Sequence, residues 1–221
     1  MAASLKPGLN INLDPQAPAY WLEACEALVQ QSPVWAELVT RHSDRALRSR
    51  GAPFETMLRS LVGQQISVKA ADAVWGRVVE ALNGTINSAA VLALSDDTLK
   101  ATGLSRQKIV YSRALSEFEQ NGGLQLDLLS GLDDEACARH LCEIKGVGRW
   151  TAQMFLMFCL RRPDVWPVDD IGVQRGISRQ FFEGEPIGPK EALQFGEKLK
   201  PWRTVAAWYL WRSLDPVVVD Y

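Results

Sequence analysis

The stretch LCEIKGVGRWTAQMFLMF, residues 141–158, places two glycines either side of Val147 and resumes at once with Arg149, Trp150 and a long apolar run. Glycine at 146 and 148 frees the backbone to take φ > 0 and lets another backbone come close. A helix that ends here and restarts directly makes a tight hairpin, whose second helix offers unsatisfied N–H groups just past the turn. With Lys145 and Arg149 beside them, those groups form an anion site suited to phosphate. Val147 would turn inward and staple the two helices. Gly-Val-Gly alone is a weak signal, because a plain helix end followed by a helix start reads the same way.

Outward from the hairpin, helix signals recur and strand signals are few. Pro53 opens a helix in PFETMLRSLVG that breaks near Gly63, and Ser67 caps a second that runs through VKAADAVWGRVVEALNG to Gly84. Further helices are expected at NSAAVLAL, at SDDTLKATG, and at SRQKIVYSRALSEFEQNGG, capped by Ser105 and stopped at Gly122. DDEACARHLCEIKG and GRWTAQMFLMFCL flank the hairpin. DDIGVQRGISRQFF begins with two carboxylates at its positive end, and GPKEALQFGEKLK and WRTVAAWYLWRSL close the series. The first 50 residues hold one or two helices. Short connections between helices of this length predict an all-α architecture.

The 221 residues, 47% hydrophobic and 23% charged, fit a folded chain with a sizeable core. No apolar run approaches the ~18 residues of a spanning helix. The opening MAASLKPGLNINLDPQ lacks the apolar segment of a secretory signal, so an intracellular setting without membrane is expected. Cys25, Cys137, Cys142 and Cys159 are scattered among apolar residues, which predicts free buried thiols rather than a zinc site, a disulfide framework or an iron–sulfur cluster. With His42 and His140 as the chain's two histidines, no transition-metal active site is expected. A net charge of −2 gives no bulk attraction to nucleic acid, so any grip on a phosphate backbone must come from a local patch.

Two more segments bear on chemistry. VWPVDDIGVQRGI, residues 165–177, sets Asp169 and Asp170 after Pro167 at a helix start, where acidic residues are common caps. LVGQQISVKAA, residues 61–71, offers the polar turn Gly63-Gln64-Gln65-Ile66-Ser67 between two helices, and its paired amides can hydrogen-bond base edges or fill a gap.

Taken with LVGQQISVKAADAVWGRV and the C-terminal LKPWRTVAAWYLW, the hairpin and the aspartate segment resemble the helix-hairpin-helix DNA glycosylases. Within them the chain is similar to the alkylbase branch, the 3-methyladenine DNA glycosylase II type, over about residues 50 to 215. The resemblance implies two helical subdomains with the active-site cleft between them. One is a bundle over residues 50–160 ending in the helix-hairpin-helix motif at about 133–160. The other is a lobe made of 1–49 and 161–221 that carries the catalytic aspartate. Before Pro53 the chain has no room for the extra β-sheet domain that some bacterial relatives carry, and it looks like the compact form.

Residue by residue, the resemblance makes Asp170 the catalytic aspartate and Asp169 its capping neighbour. Gly146, Val147, Gly148 and Arg149 match the hairpin that holds DNA phosphate, with Lys145 a phosphate contact at most. A Na+ or K+ ion bridged by the carbonyls of Cys142, Ile144 and Val147 is implied as a structural companion, and no cofactor is required. Gln65 matches the side chain that fills the hole left by a flipped nucleotide. Ile66 is its alternative, and Ser67 completes the DNA-facing turn. Branches that also nick the strand place a lysine directly after GVGR. Here that position is Trp150, which has no amine, so a monofunctional enzyme without lyase activity is implied. Trp150, Met154, Ile171 and Trp211 would wall the base pocket, while Trp202 and Trp208 belong to the core. Lys69, Arg175, Lys200 and Arg203 read as surface charges more than as phosphate contacts.

The expected activity is hydrolytic excision of cationic alkylated purines, such as 3-methyladenine and 7-methylguanine, from double-stranded DNA, leaving an abasic site. A monomer is expected, cytoplasmic and nucleoid-associated in a bacterium or nuclear in a eukaryote. The rivals are a superfamily enzyme acting on oxidised or deaminated bases, a DNA-binding module for which Asp170 is dispensable, and a helical scaffold without DNA.

Overall fold

The computed structural model describes residues 16–49 and 51–214; residue 50, the N-terminal segment 1–15 and the terminal 215–221, on which part of the expected lobe falls, lie outside the described residues. The described residues form thirteen α-helices and no strand. They divide into two compact units, one within residues 50–160 and one within residues 1–49 and 161–220.

In chain order the second of these units opens with α1 (Trp21–Gln31) and α2 (Pro33–Arg41). Residues 50–160 supply α3 (Pro53–Gly63), α4 (Val68–Ala81), α5 (Ser88–Ala93), α6 (Asp96–Ala101), α7 (Arg106–Gln120), α8 (Leu126–Gly131), α9 (Asp134–Leu141) and α10 (Arg149–Phe158). The chain then returns with α11 (Ile171–Phe181), α12 (Pro189–Glu197) and α13 (Arg203–Leu214).

Side-chain caps fix most of the starts in the 50–160 unit. Ser67 accepts from Ala70 N–H, Asn87 from Ala90, Ser95 from Thr98, Ser105 from Lys108 and Asp133 from Ala136, each contributing about 1 kcal/mol. Gly84 and Gly122, at φ 74° and 82°, turn the chain past the ends of α4 and α7. The six-residue α8 carries no cap and falls in a stretch where no helix is expected. It forms because Leu129 is driven into the core, fully buried. α3 is central, packed against α4, α7 and α10, and Met57, Leu58, Leu61, Leu115 and Phe155 fill the space between.

The other unit is built on aromatic packing. Trp21 meets Trp208 edge-on at 5.2 Å, Trp35 lies 5.1 Å from Phe181, and Phe181 lies 4.8 Å from Phe195. Trp208 is buried as expected, while Trp202 is half-buried and stacks on Tyr20. α13 is buried from Thr204 to Arg212, which explains its nearly unbroken apolar sequence. A Cβ on Gly176 would stand 2.9 Å from the Leu210 carbonyl oxygen, so glycine there lets α11 and α13 close together. That approach carries the start of α11 to the middle of α13.

The thiols correct one expectation. All four cysteines are free, but only Cys25 and Cys137 are buried; Cys142 is exposed at the hairpin and Cys159 is half-buried. Burial pushes the Cys25 thiol, which shares a hydrogen bond with the Tyr209 hydroxyl, up to about 11. Among the described residues no helix is long and apolar enough to cross a membrane.

Candidate functional site

In the unit of residues 1–49 and 161–220, the site is the start of α11. Asp170, not Asp169, is its N-cap: Asp170 Oδ1 accepts from the Val173 N–H at 2.8 Å, while Asp169 is exposed. The capping role expected of Asp169 is therefore corrected, and the physical reason is register. Asp169 lies one residue too early for its side chain to return to the first free N–H groups. The same Oδ1 accepts from the Trp211 indole N–H at 2.8 Å. Gly172 makes room, since a Cβ there would fall 2.8 Å from the Trp211 ring and 3.0 Å from Asp170 Oδ1. The carboxylate is half-buried and pinned by two donors beside a positive helix end, an arrangement that fixes an anion in place.

Trp211, expected as a pocket wall, is 9% exposed and acts here through its N–H on Asp170. Ile171 is 62% exposed, so its side chain is available to a ligand. Arg203 pairs with Asp164 at 2.6 Å and the exposed Lys200 with Glu197 at 2.8 Å, so both cations are matched by the chain's own carboxylates.

In the unit of residues 50–160, α9 and α10 form the hairpin. Gly146 has φ 94°, and a Cβ on it would sit 2.3 Å from the Tyr111 ring of α7, so both conformation and close approach require glycine. Gly148 is different: its φ of −96° suits any residue and nothing lies within 4 Å of the Cβ position. The space before α10 is open, and α10 has no side-chain cap. Val147 is buried between the helices and its N–H donates to the Ile144 carbonyl at 2.9 Å. Lys145 is exposed. Arg149 is held bidentately by Glu135 of α9, at 2.8 and 2.6 Å. This hydrogen bond, with the guanidinium charge, keeps the Glu135 carboxyl below the usual range.

Trp150 is half-buried on the first turn of α10. Met154, expected on the pocket wall, follows Trp150 by one turn on the same face of α10 and is 4% exposed. In the turn before α4, Gln65 is exposed in the left-handed region at φ 58° and Ile66 is 40% exposed, so both point away from the core. Ser67 spends its hydroxyl on the α4 cap. Gln64, expected with Gln65 as one of two amides for a base edge or a gap, instead donates its amide to the Gly146 carbonyl at 3.0 Å and to Thr151 Oγ1 at 3.1 Å. Neither this clamp nor Glu135 carries a local signal; both depend on contacts between residues far apart in the chain. No group of three or more His, Cys, Asp or Glu side chains among the described residues could hold a metal ion.

Residues 58–201 match the HhH-GPD superfamily base excision DNA repair proteins. The chain is similar to DNA-3-methyladenine glycosylase 1 of Schizosaccharomyces pombe, 31% identical over 80% of this chain and 79% of the relative. Among solved structures it resembles a DNA-3-methyladenine glycosidase from Bacillus halodurans, with 34% identity, a TM-score of 0.77, and coverage of 87% of this chain and 89% of that one. It also resembles the Schizosaccharomyces pombe 3-methyladenine DNA glycosylase in complex with abasic DNA, with 29% identity, a TM-score of 0.78, and coverage of 86% and 96%. With a pinned aspartate at the start of α11, an open-faced hairpin before α10, and a family match across both segments, the chain belongs to the HhH-GPD superfamily of base excision DNA repair proteins.

Proposed function

We propose that the protein is a monofunctional DNA glycosylase that excises cationic alkylated purines, 3-methyladenine and 7-methylguanine among them, from double-stranded DNA. The observation that carries the reading is Asp170, whose carboxylate is held at a helix start by Val173 and Trp211 in a chain of this family. The names of its relatives supply 3-methyladenine, and the positive charge that alkylation gives the purine extends the reading to 7-methylguanine.

A base inside a duplex is out of reach and must be extruded, at a few kcal/mol for unstacking, less for a damaged and poorly paired base. Alkylation at N3 of adenine or N7 of guanine leaves the purine positively charged and already a good leaving group. The enzyme then needs no strong general acid. As the bond to C1′ breaks, the sugar becomes oxocarbenium-like, and the fixed negative charge of Asp170 stabilises it while orienting or deprotonating the attacking water. The products are the free base and an abasic site. Trp150 supplies an aromatic face to the cationic base, an attraction of roughly 0.5–2 kcal/mol. It has no amine with which to form a Schiff base to the sugar, so no strand nicking follows.

The open approach to Gly148 and the uncapped start of α10 suit a DNA phosphate. The carbonyls of Cys142, Ile144 and Val147 lie in one turn and are neutral hard oxygen donors that suit Na+ or K+. Ile144 already accepts one N–H and keeps a second lone pair for such an ion. The protein is proposed to act as a monomer.

The test is base release from methylated genomic DNA, resolved by chromatography, with wild type and Asp170→Asn in parallel. Release of 3-methyladenine and 7-methylguanine by wild type alone is expected. If neither protein released a base while both bound DNA, the hairpin would be a grip without chemistry and the binding-module reading would replace this one.

A further inference from the structure

The turn that carries Gln65 and Ile66 is held from three sides, all within the unit of residues 50–160. Upstream, Lys108 Nζ of α7 donates to the Val62 carbonyl at 2.7 Å, closing the end of α3, and partial burial lowers its pKa. Downstream, Ser67 caps α4. Between them, Gln64 reaches across to the hairpin and bonds both the Gly146 carbonyl and Thr151 Oγ1, the first in the turn and the second on a buried residue in the first turn of α10. Tyr111, one turn after Lys108 on α7, packs beneath Gly146 and is hydrogen-bonded by Gln107. α7 therefore braces the polar turn and the hairpin together.

Gln65 directly follows the clamp and occupies the left-handed region at φ 58°, where a non-glycine side chain is strained. Such a conformation persists only where its surroundings over-determine it. The side chain of Gln64 is the link between this strained turn and the hairpin.

We infer that Gln64 is a positioning residue that couples the hairpin to the Gln65–Ile66 turn, so that seating the hairpin on a DNA phosphate also presents the turn to a gap in the base stack. The inference rests on the proposed function for the DNA partner. Gln64 itself touches the hairpin, not the DNA, and its effect is on selectivity for a duplex with a hole over an intact one.

The experiment measures Kd for an undamaged duplex and for the same duplex with a stable abasic-site analogue, with 2-aminopurine opposite the gap to report unstacking. Wild type, Gln64→Leu and Gln64→Glu are compared, each with its melting temperature. Gln64→Glu is isosteric but cannot donate to a carbonyl, so it separates loss of the bond from loss of packing. Both variants are expected to bind the undamaged duplex within about twofold of wild type while losing preference for the abasic duplex by about tenfold, the loss of roughly one hydrogen bond's worth of positioning. The 2-aminopurine signal should fall with it. Thr151→Val should reproduce part of the loss and add nothing to Gln64→Leu, because the two share one bond.

Unchanged abasic preference in both variants would overturn the coupling, as would an equal loss of affinity for both duplexes alongside a lowered melting temperature. These readouts need no base release. A wild type that excises nothing yet loses abasic preference on Gln64→Leu would sink the glycosylase reading and leave the coupling standing.

Discussion

Asp170→Asn separates the charge of Asp170 from its structural work. Asparagine caps helices as well as aspartate does, and its carbonyl oxygen can still accept from the Val173 N–H and the Trp211 indole. Stability should therefore change by less than about 0.5 kcal/mol. What disappears is a full negative charge. For an oxocarbenium-like sugar about 4 Å away, in surroundings of effective dielectric about 20, the attraction lost is about 4 kcal/mol. This corresponds to about a thousandfold lower rate of the chemical step. Asp170→Ala would lose the same charge, but it also removes the cap and leaves the Trp211 N–H without this acceptor, adding about 2 kcal/mol or more of instability. The assay is single-turnover release of 7-methylguanine with enzyme in excess, beside a denaturation curve for each protein. An Asp170→Asn protein within about tenfold of wild type would refute the electrostatic role, since ten times in rate is worth only about 1.4 kcal/mol. An Asn variant as unstable as the Ala variant would refute the capping argument.

Other predictions concern the hairpin and the second unit. Gly146→Ala should destabilise by about 2–4 kcal/mol, from its left-handed φ and the clash with Tyr111, whereas Gly148→Ala should cost about 1 kcal/mol or less yet weaken duplex binding; urea denaturation and fluorescence anisotropy read the two effects. Glu135→Gln removes the carboxylate charge paired with Arg149, so duplex affinity should tighten and the slope of log K against log salt should steepen by up to about 0.9; a slope and Kd equal to wild type would count against Arg149 as a phosphate ligand. His42 has its pKa lowered by burial first and by Arg41, Arg212 and Arg45 next, and its Nε2 is buried without a hydrogen-bond partner. The unfolded chain binds this proton more readily than the folded one, so the stability His42 contributes is complete above its ordinary value of 6.5 and is lost as pH falls through the lower folded value. The melting temperature should drop on acidification below about pH 6.5, and less so in His42→Gln.

Much of the fold was legible because it is written locally. Ser67 and Ser105 announce α4 and α7 by hydrogen bonds to N–H groups three residues on, and Gly84 and Gly122 mark their ends by conformations that other residues avoid. α8 was invisible for the complementary reason: it has no cap, spans six residues, and is held by the burial of Leu129. At the site, Asp170 and the hairpin could be located from motif order, but their partners could not. Trp211 is 41 residues from Asp170, and Gln64 is 82 residues from Gly146. No periodicity or spacing encodes such pairs. The mistaken assignment of the cap to Asp169 came from a tie that composition cannot break, since two adjacent aspartates differ only in register. The expectation for Cys142 failed because the hairpin exposes a position that an apolar neighbourhood suggested was covered.

That Asp170 caps α11 has an evolutionary consequence. Active-site residues are often ones a protein would be more stable without, so that drift toward robustness erodes activity. Here most replacements of the aspartate also unseat a helix end and strip a partner from a largely buried indole. Selection for folding alone would therefore retain a short carbonyl-bearing side chain at position 170. Within that narrow set only the exchange with asparagine is invisible to stability. The route by which this lineage could fall silent while still folding is thus a single amidation-like step, and a stably folded paralogue that carries asparagine at the matching position is what such a loss would leave behind.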